Sequence, residues 1–337
     1  MSSRSIRLHL SIASILAAVA GTGCSPTADS ARAGSPPRTE AMRLAALTDL
    51  DQRVARVAWR LSEANAALCP TVRLSAGWGL HSARQYSPEL RPHAEARFGL
   101  RGDLPGIVAA PSGSPAEAAG LRAGDLVLAV NATSLSPGET AGPARWEGLE
   151  ANIRTLDAAL AQGPATLVIE RDGQPLDLKV EPRRACGYEA QLDPSDELNA
   201  RADGKRLFIS TALAGFAQSD DELAVILGHE LAHHVLGHRP WSETGGAARR
   251  ANEGVWQAEG GRGGAEQQAD RVGLYLAARA GYDPAVAAPF WRRFGESNWR
   301  VRFPQIGHAS AGARAAALEG VQREIEARRR SGGELLP

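Results

Sequence analysis

The chain has no excess of charge of either sign: Lys and Arg total 38, Asp and Glu total 38, and no basic stripe interrupts that balance. Nucleic acid is thereby excluded as the expected partner, because phosphate recognition needs clustered cations. No internal repeat and no glycine-rich nucleotide loop occurs, so solenoid and phosphate-cradling functions drop out as well. Beyond the amino terminus there is no apolar run long enough to span a membrane. Cysteine is scarce, with three in 337 residues.

What is present at the amino terminus sets the expected compartment. Arg4 and Arg7 precede the apolar stretch from Leu8 to Ala20, and small residues follow. That is the shape of a secretory signal, too short to serve as a stable span. Gly21-Thr22-Gly23-Cys24 resembles a bacterial lipoprotein cleavage box, which would place a lipid on Cys24, while Ala18-Val19-Ala20 offers an ordinary signal-peptidase site as the alternative. Residues 25–38, rich in Ser, Pro, Ala and Gly, read as a flexible tether. With Cys24 assigned to a lipid, Cys69 and Cys186 remain as a pair suited to an oxidising envelope. Two separate buried thiols are the other reading of those residues.

The strongest chemical signal is His229-Glu230-Leu231-Ala232-His233. Two histidines four apart lie on one helical face, one turn apart, so their rings can converge on one tetrahedral metal. Glu230 follows the first of them directly, where a carboxylate can take a proton from water at that metal. Asp220-Asp221-Glu222 leads into an apolar run ahead of the motif and predicts a helix start. Downstream, Glu266 and Asp270 are again four apart, so one carboxylate can complete the metal shell and the other can orient a ligand histidine. A metzincin would carry a glycine and a third histidine where Leu236 and Arg239 stand, so that class is excluded. His234 and His238 form a second pair at helical spacing and are expected to point away as surface or capping residues.

From about residue 196 to the end, the chain resembles the zinc metallopeptidases of the HtpX and CAAX prenyl protease type, which are gluzincins. Besides the two motifs, the resemblance is carried by Asn199-Ala200-Arg201-Ala202-Asp203-Gly204, by Ala280-Gly281-Tyr282-Asp283-Pro284, and by Phe290-Trp291-Arg292-Arg293. His308 followed six residues later by Arg314 is similar to the family's His-Pro-x-x-x-x-Arg element, with Ala309 in place of the proline. The resemblance implies one zinc ion on His229, His233 and Glu266, Glu230 as the base, Asp270 behind a ligand, and His308 and Arg314 near the cleft as further catalytic residues. The strand from Arg206 to Thr211 is expected to pair with extended substrate.

Residues 94–182 resemble a PDZ domain. Ser114-Pro115-Ala116-Glu117-Ala118-Ala119-Gly120-Leu121-Arg122-Ala123-Gly124-Asp125 matches the turn-helix-turn of those domains, and Val127-Leu128-Ala129-Val130-Asn131 follows as a strand. Phe98-Gly99-Leu100 resembles the loop that holds a peptide carboxylate, with Asn152 to Leu160 as the groove helix. Asp172-Gly173 predicts a hairpin turn. A small sheet domain used only as a spacer is the alternative. Residues 40–67 carry Leu44, Leu47, Leu50, Val54, Val57 and Leu61 at helical spacing and by resemblance belong to the peptidase.

The expected architecture is therefore α+β: a mainly helical zincin-type metallopeptidase domain with a small edge sheet, plus an inserted β-rich PDZ-like domain. Its divisions are 1–24 signal, 25–38 tether, 39–93 lead-in of the peptidase, 94–182 PDZ-like and 183–337 catalytic. The expected function is a zinc-dependent endopeptidase on the periplasmic side of a bacterial envelope, acting on unfolded or misassembled polypeptides and touching the membrane only through its lipid. An inactive PDZ-bearing adaptor or chaperone is the competing class.

Overall fold

A computed structural model describes residues 39–202, 205–238, 261–297 and 309–337. Cys24 and His308 lie outside the described residues. Among the described residues no helix is long and apolar enough to cross a membrane.

Helix α1, Glu40–Ala64, begins where the Thr39 hydroxyl accepts the Met42 N–H, and Glu40 complements the positive end of the helix dipole. At 25 residues it is about 37 Å long, long enough to serve two cores. Leu44 packs into the core of the β-rich part, whereas Val54, Val57 and Leu61 pack into the helical part. At its far end Asn65 is fully buried and donates to the Leu61 and Leu276 carbonyls, which ties α1 to the second core.

The β-rich part contains β1 (Val72–Ser75), β2 (Gly79–His81), α2 (Arg91–Phe98), β3 (Gly106–Ala109), α3 (Pro115–Ala118), β4 (Leu126–Val130), β5 (Thr133–Ser134), α4 (Glu147–Leu160), β6 (Ala165–Arg171) and β7 (Gln174–Val180). The sheet runs β2-β3-β4-β6-β7, with β5 added to β4, and its neighbours are antiparallel. Asp172 and Gly173 both take positive φ between paired Arg171 and Gln174, the turn that matches the strand twist. Asp125, fully buried, is bound through both oxygens by Arg171 at 2.7 Å, so the loop after α3 is fastened to the hairpin.

The start of this part corrects the boundary expected at residue 94. β2 is the terminal strand of the sheet, and Ala76, Ala83, Tyr86 and Leu90 lie in its core. A three-residue strand carries too little alternation to be read from sequence. Residues 76–93 therefore contribute to the core of the β-rich part, and α1 packs against them at Gly77 and Gly79.

Strand β8 (Arg183–Cys186) returns to pair with β1, in a register that sets Val72 opposite Cys186. Cys69 and Cys186 form a disulfide with Cα atoms 5.5 Å apart at a sequence separation of 117. Closing a loop of that length is worth about 4 to 5 kcal/mol in the chain-entropy account. Ladder and bridge together fasten the two exits of the β-rich part.

The remaining elements are β9 (Glu189–Asp193), β10 (Ala200–Ala202), β11 (Arg206–Ser210), α5 (Thr211–Phe216), α6 (Asp220–Val235), α7 (Gly261–Arg279), α8 (Ala287–Ser297) and α9 (Ala311–Arg330). The small sheet has the order β10-β11-β9, with β11 parallel to β9 and antiparallel to β10. This corrects the expectation that the strand from Arg206 pairs with substrate. Both edges of β11 are already hydrogen-bonded, so among the described residues a further strand can add only beside β10 or β9.

Helices α6 and α7 cross at two glycines. A Cβ on Gly228 would lie 2.7 Å from the Gly273 carbonyl oxygen, and one on Gly273 would lie 2.7 Å from the His229 nitrogen. Without side chains at those two positions the backbones touch, and this contact brings His229 of α6 against the first half of α7.

Candidate metal centre

Helix α6 starts at Ser219, whose hydroxyl accepts the Glu222 N–H, and Asp220, Asp221 and Glu222 fill its first turn. Asp220 is held by Arg53 and Arg56 of α1, and Glu222 by Arg293 of α8. The helix is thus anchored at its start by charge and along its length by Leu223, Leu227 and Leu231, all buried. Its remaining face carries His229 and His233.

The Nε2 atoms of His229 and His233 are 3.2 Å apart. Glu266 of α7 brings one carboxylate oxygen to 3.4 Å from the first and the other to 3.7 Å from the second. A tetrahedral zinc with bonds near 2.0–2.1 Å keeps its ligand atoms roughly 3.3–3.4 Å apart. The three donors are therefore at zinc-binding separation with the chemistry zinc prefers.

The charge states agree with a site shaped for a cation. Burial opposes charge on His229, but the hydrogen-bonded carboxylates of Asp270 and Glu266 outweigh it and lift the ring to about 9. His233, desolvated and beside His229, falls to about 3. Burial would raise Glu266, yet His229 brings it down to about 2. Glu230 is buried, and desolvation pushes its carboxyl up to about 7, within reach of a neutral-pH proton transfer.

Support comes from two directions. The Asp270 carboxylate lies 3.0 Å from His229 Nδ1, so this ring presents Nε2 to the metal position. Arg314 of α9 donates from Nε to Asp270 at 2.7 Å, contacts the other Asp270 oxygen through Nη2, and lies 3.5 Å over the Trp291 ring. Arg314 is buried on the far side of Asp270, with its polar contacts on Asp270 and the outer nitrogen of His229. The structure thus moves Arg314 from the expected catalytic group to the support of a ligand.

The second support was not expected. Helix α6 stops at Val235, and Gly237 takes φ 67°. Its N–H bonds the His234 carbonyl and the His238 N–H bonds the His233 carbonyl, the pairing of a glycine C-cap. The chain reverses, and His238 Nδ1 arrives 3.0 Å from His233 Nδ1 while His238 Nε2 lies 3.2 Å from Gln268 Oε1. One proton assignment satisfies the series: His233 donates to His238, and His238 donates to Gln268. That leaves His233 Nε2 with its lone pair toward the metal position. The expectation that His238 points away assumed a helix through residue 238, and Gly237 is the signal that the helix ends before it. His234 is corrected too: it is buried and stacked on Tyr188 at 3.9 Å. His238→Ala is expected to weaken zinc binding about 10- to 100-fold, read by competition with a chromogenic chelator. His238→Asn, which keeps an acceptor near the Nδ1 position, is expected to recover part of it.

The sequence model of peptidase family M48 matches residues 168–245. That match supports a zinc metallopeptidase. It holds His229, Glu230 and His233 and ends before Glu266, so Glu266, Asp270 and Arg314 are joined to the motif by the fold. No curated protein matches the chain.

Phe98 and Leu100 are buried in the core of the β-rich part, and Gly99 caps α2 with φ 63°. The open surface lies instead at the terminal strand β2. Gly79 and Leu80, with Ile153 and Asp157 of α4, line a cleft of about 1120 Å³ whose other wall is α1.

Proposed function

We propose that the chain is a zinc-dependent endopeptidase of a bacterial cell envelope that cleaves unfolded or misassembled polypeptides. The observation that carries this reading is the placement of His229 Nε2, His233 Nε2 and the Glu266 carboxylate 3.2–3.7 Å from one another, with buried Glu230 beside them. Zinc bound there supplies Lewis acidity, which polarises a scissile carbonyl and lowers the pKa of water to near neutrality. Glu230 takes the water's proton and delivers it to the leaving amine. His229 and His233 are kept in the ligating tautomer by Asp270 and by His238. An extended substrate is held by strand pairing at an edge of the small sheet.

The envelope assignment rests on the signal-like segment with Cys24 and on the Cys69–Cys186 bridge, a bond that persists in oxidising compartments. The β-rich part is proposed to capture polypeptide segments, with Gly79 and Leu80 of the terminal strand and Ile153 of α4 taking the part first expected of Phe98 to Leu100. Capture beside the peptidase raises the local concentration of long substrates.

Metal removal tests the reading. The purified protein is expected to contain one zinc per chain and to hydrolyse a reduced, unfolded protein. Dialysis against a chelator should abolish hydrolysis, and stoichiometric zinc should restore it. A metal-free protein that cleaves at the full rate would overturn the proposal.

A further inference from the structure

Buried polar atoms without partners gather beneath the loop of residues 136–146. Among the described residues, the buried side-chain nitrogens and oxygens that lack a hydrogen bond include Arg84 Nε and Nη1, Asp103 Oδ1 and Arg145 Nε. The backbone draws these residues together. The Arg84 N–H donates to the Gly102 carbonyl at 3.2 Å, the Arg145 N–H donates to the Arg84 carbonyl at 2.8 Å, and Arg145 Nη2 donates to Asp103 Oδ2 at 2.8 Å. Arg84, in the short helical turn Ala83–Gln85 after β2, is only 1% exposed. Its guanidinium lies against Gly142, where an added Cβ would come within 3.1 Å of both Nη atoms. A second buried guanidinium meets the same glycine. Arg91 Nη1 donates to the Gly142 carbonyl at 2.9 Å, and its other nitrogens donate to the Ala83 and Tyr86 carbonyls.

Charge is out of balance in this cluster. Neither Arg84 nor Arg91 has a carboxylate partner among the described residues, and the buried carboxylate of the cluster, Asp103, is taken by Arg145, which also has exposed Glu139 at 3.5 Å. A buried cation without a counter-ion is costly, and two of them beside one residue repel each other as well. Hydrogen-bonding capacity is out of balance in the same sense. Three guanidinium nitrogens lack acceptors, against one carboxylate oxygen that lacks a donor. An oxyanion supplies both the missing charge and the missing acceptors. Hydrogen phosphate also carries an O–H, which Asp103 Oδ1 can accept, whereas sulfate has no proton to give. Residues 136–144 are exposed above these buried groups and form the outer wall.

We propose that Arg84 and Arg91, beneath the loop of residues 136–146, bind inorganic phosphate, with Asp103 accepting its hydroxyl. The site shares no residue with the metal position, and the proposal does not rest on the catalytic reading. Bound phosphate ties the loop to the turn after β2 and to the start of α2.

The test uses the full chain, purified without phosphate and titrated calorimetrically with inorganic phosphate and with sulfate in a chloride background of constant ionic strength. Each titration is run with zinc bound and again after chelator treatment. One phosphate per chain should bind in both states, and sulfate should bind roughly tenfold more weakly or worse. Phosphate at about ten times its Kd should raise the thermal midpoint by about 2–4 °C. Arg84→Met keeps the length and apolar stem of the side chain and removes the charge, so phosphate binding should be lost. Its midpoint without phosphate should equal or exceed that of the parent, because an unpaired buried cation has gone. Arg84→Lys keeps the charge without the planar fork and should bind phosphate about tenfold more weakly, which decides the matter should the methionine variant fail to fold. Phosphate binding that disappears with zinc would belong to the metal, and binding unchanged in the Arg84 variants would belong elsewhere, so either result would overturn the proposal. Equal binding of phosphate and sulfate, the behaviour of an adventitious ion only, would overturn it too. No phosphate binding by the parent would mark Arg84 as structural, while zinc content and hydrolysis would still test the peptidase reading on their own.

Discussion

Glu230→Gln is expected to lower peptide hydrolysis by about 10²- to 10⁴-fold, the usual contribution of a positioned general base. The amide has the same shape and cannot accept a proton from water. Glu230 is buried on α6 one residue from His229, and its side chain is not one of the three ligand donors. Zinc content and thermal midpoint are therefore expected to match those of the parent protein. Removing a carboxylate that burial already disfavours in its charged form costs the fold little. Metal analysis, a melting curve and a fluorogenic peptide assay on the same preparation decide the matter. A variant with zinc bound and the full rate of hydrolysis would remove Glu230 from the mechanism.

Arg314→Ala is expected to be the more damaging change to the fold. Arg314 reaches both oxygens of Asp270, and both side chains are about nine-tenths buried. Truncation strands a carboxylate that has lost its cation, a situation that costs about 3–5 kcal/mol. It also removes the guanidinium over Trp291 and frees Asp270 to turn away from His229. Loss of such support lowers metal affinity by about 10- to 100-fold. Urea unfolding of the metal-free protein reads the first effect and chelator competition the second. The sign with pH is fixed as well. Burial acts to raise the Asp270 carboxyl, but Arg314 and His229 hold it below its ordinary value. Its stabilising contribution is present above the ordinary carboxylate range near 3.9 and is lost as pH falls through the depressed value. Arg314→Ala should therefore flatten the acid limb of the stability profile. An unchanged limb with unchanged zinc affinity would show that the pair has no such role.

The residues that could hold a metal ion, His229, His233 and Glu266, were legible because each motif is local. His229 and His233 are one helical turn apart, and so are Glu266 and Asp270, so spacing alone places each pair on a face. The acidic first turn of α6 and the Asp172-Gly173 turn are read equally well, since capping and positive φ are properties of a few consecutive residues. Cysteine arithmetic left Cys69 and Cys186 as a possible pair, and the fold brings them together.

Three features required the tertiary structure. Which strand of the small sheet offers an edge follows from the order β10-β11-β9, and strand order is a matter of long-range pairing that composition does not encode. The apolar pattern of Phe98 and Leu100 suits a buried core and a binding loop alike, and packing puts their side chains in the core. Where His238 and Arg314 act depends on a reversal at Gly237 and on α9 crossing behind α7. The chemistry was thus determined by the sequence through neighbours within one turn. The support of that chemistry was decided by contacts between residues far apart in the chain, whose geometry is set by how helices and sheets pack.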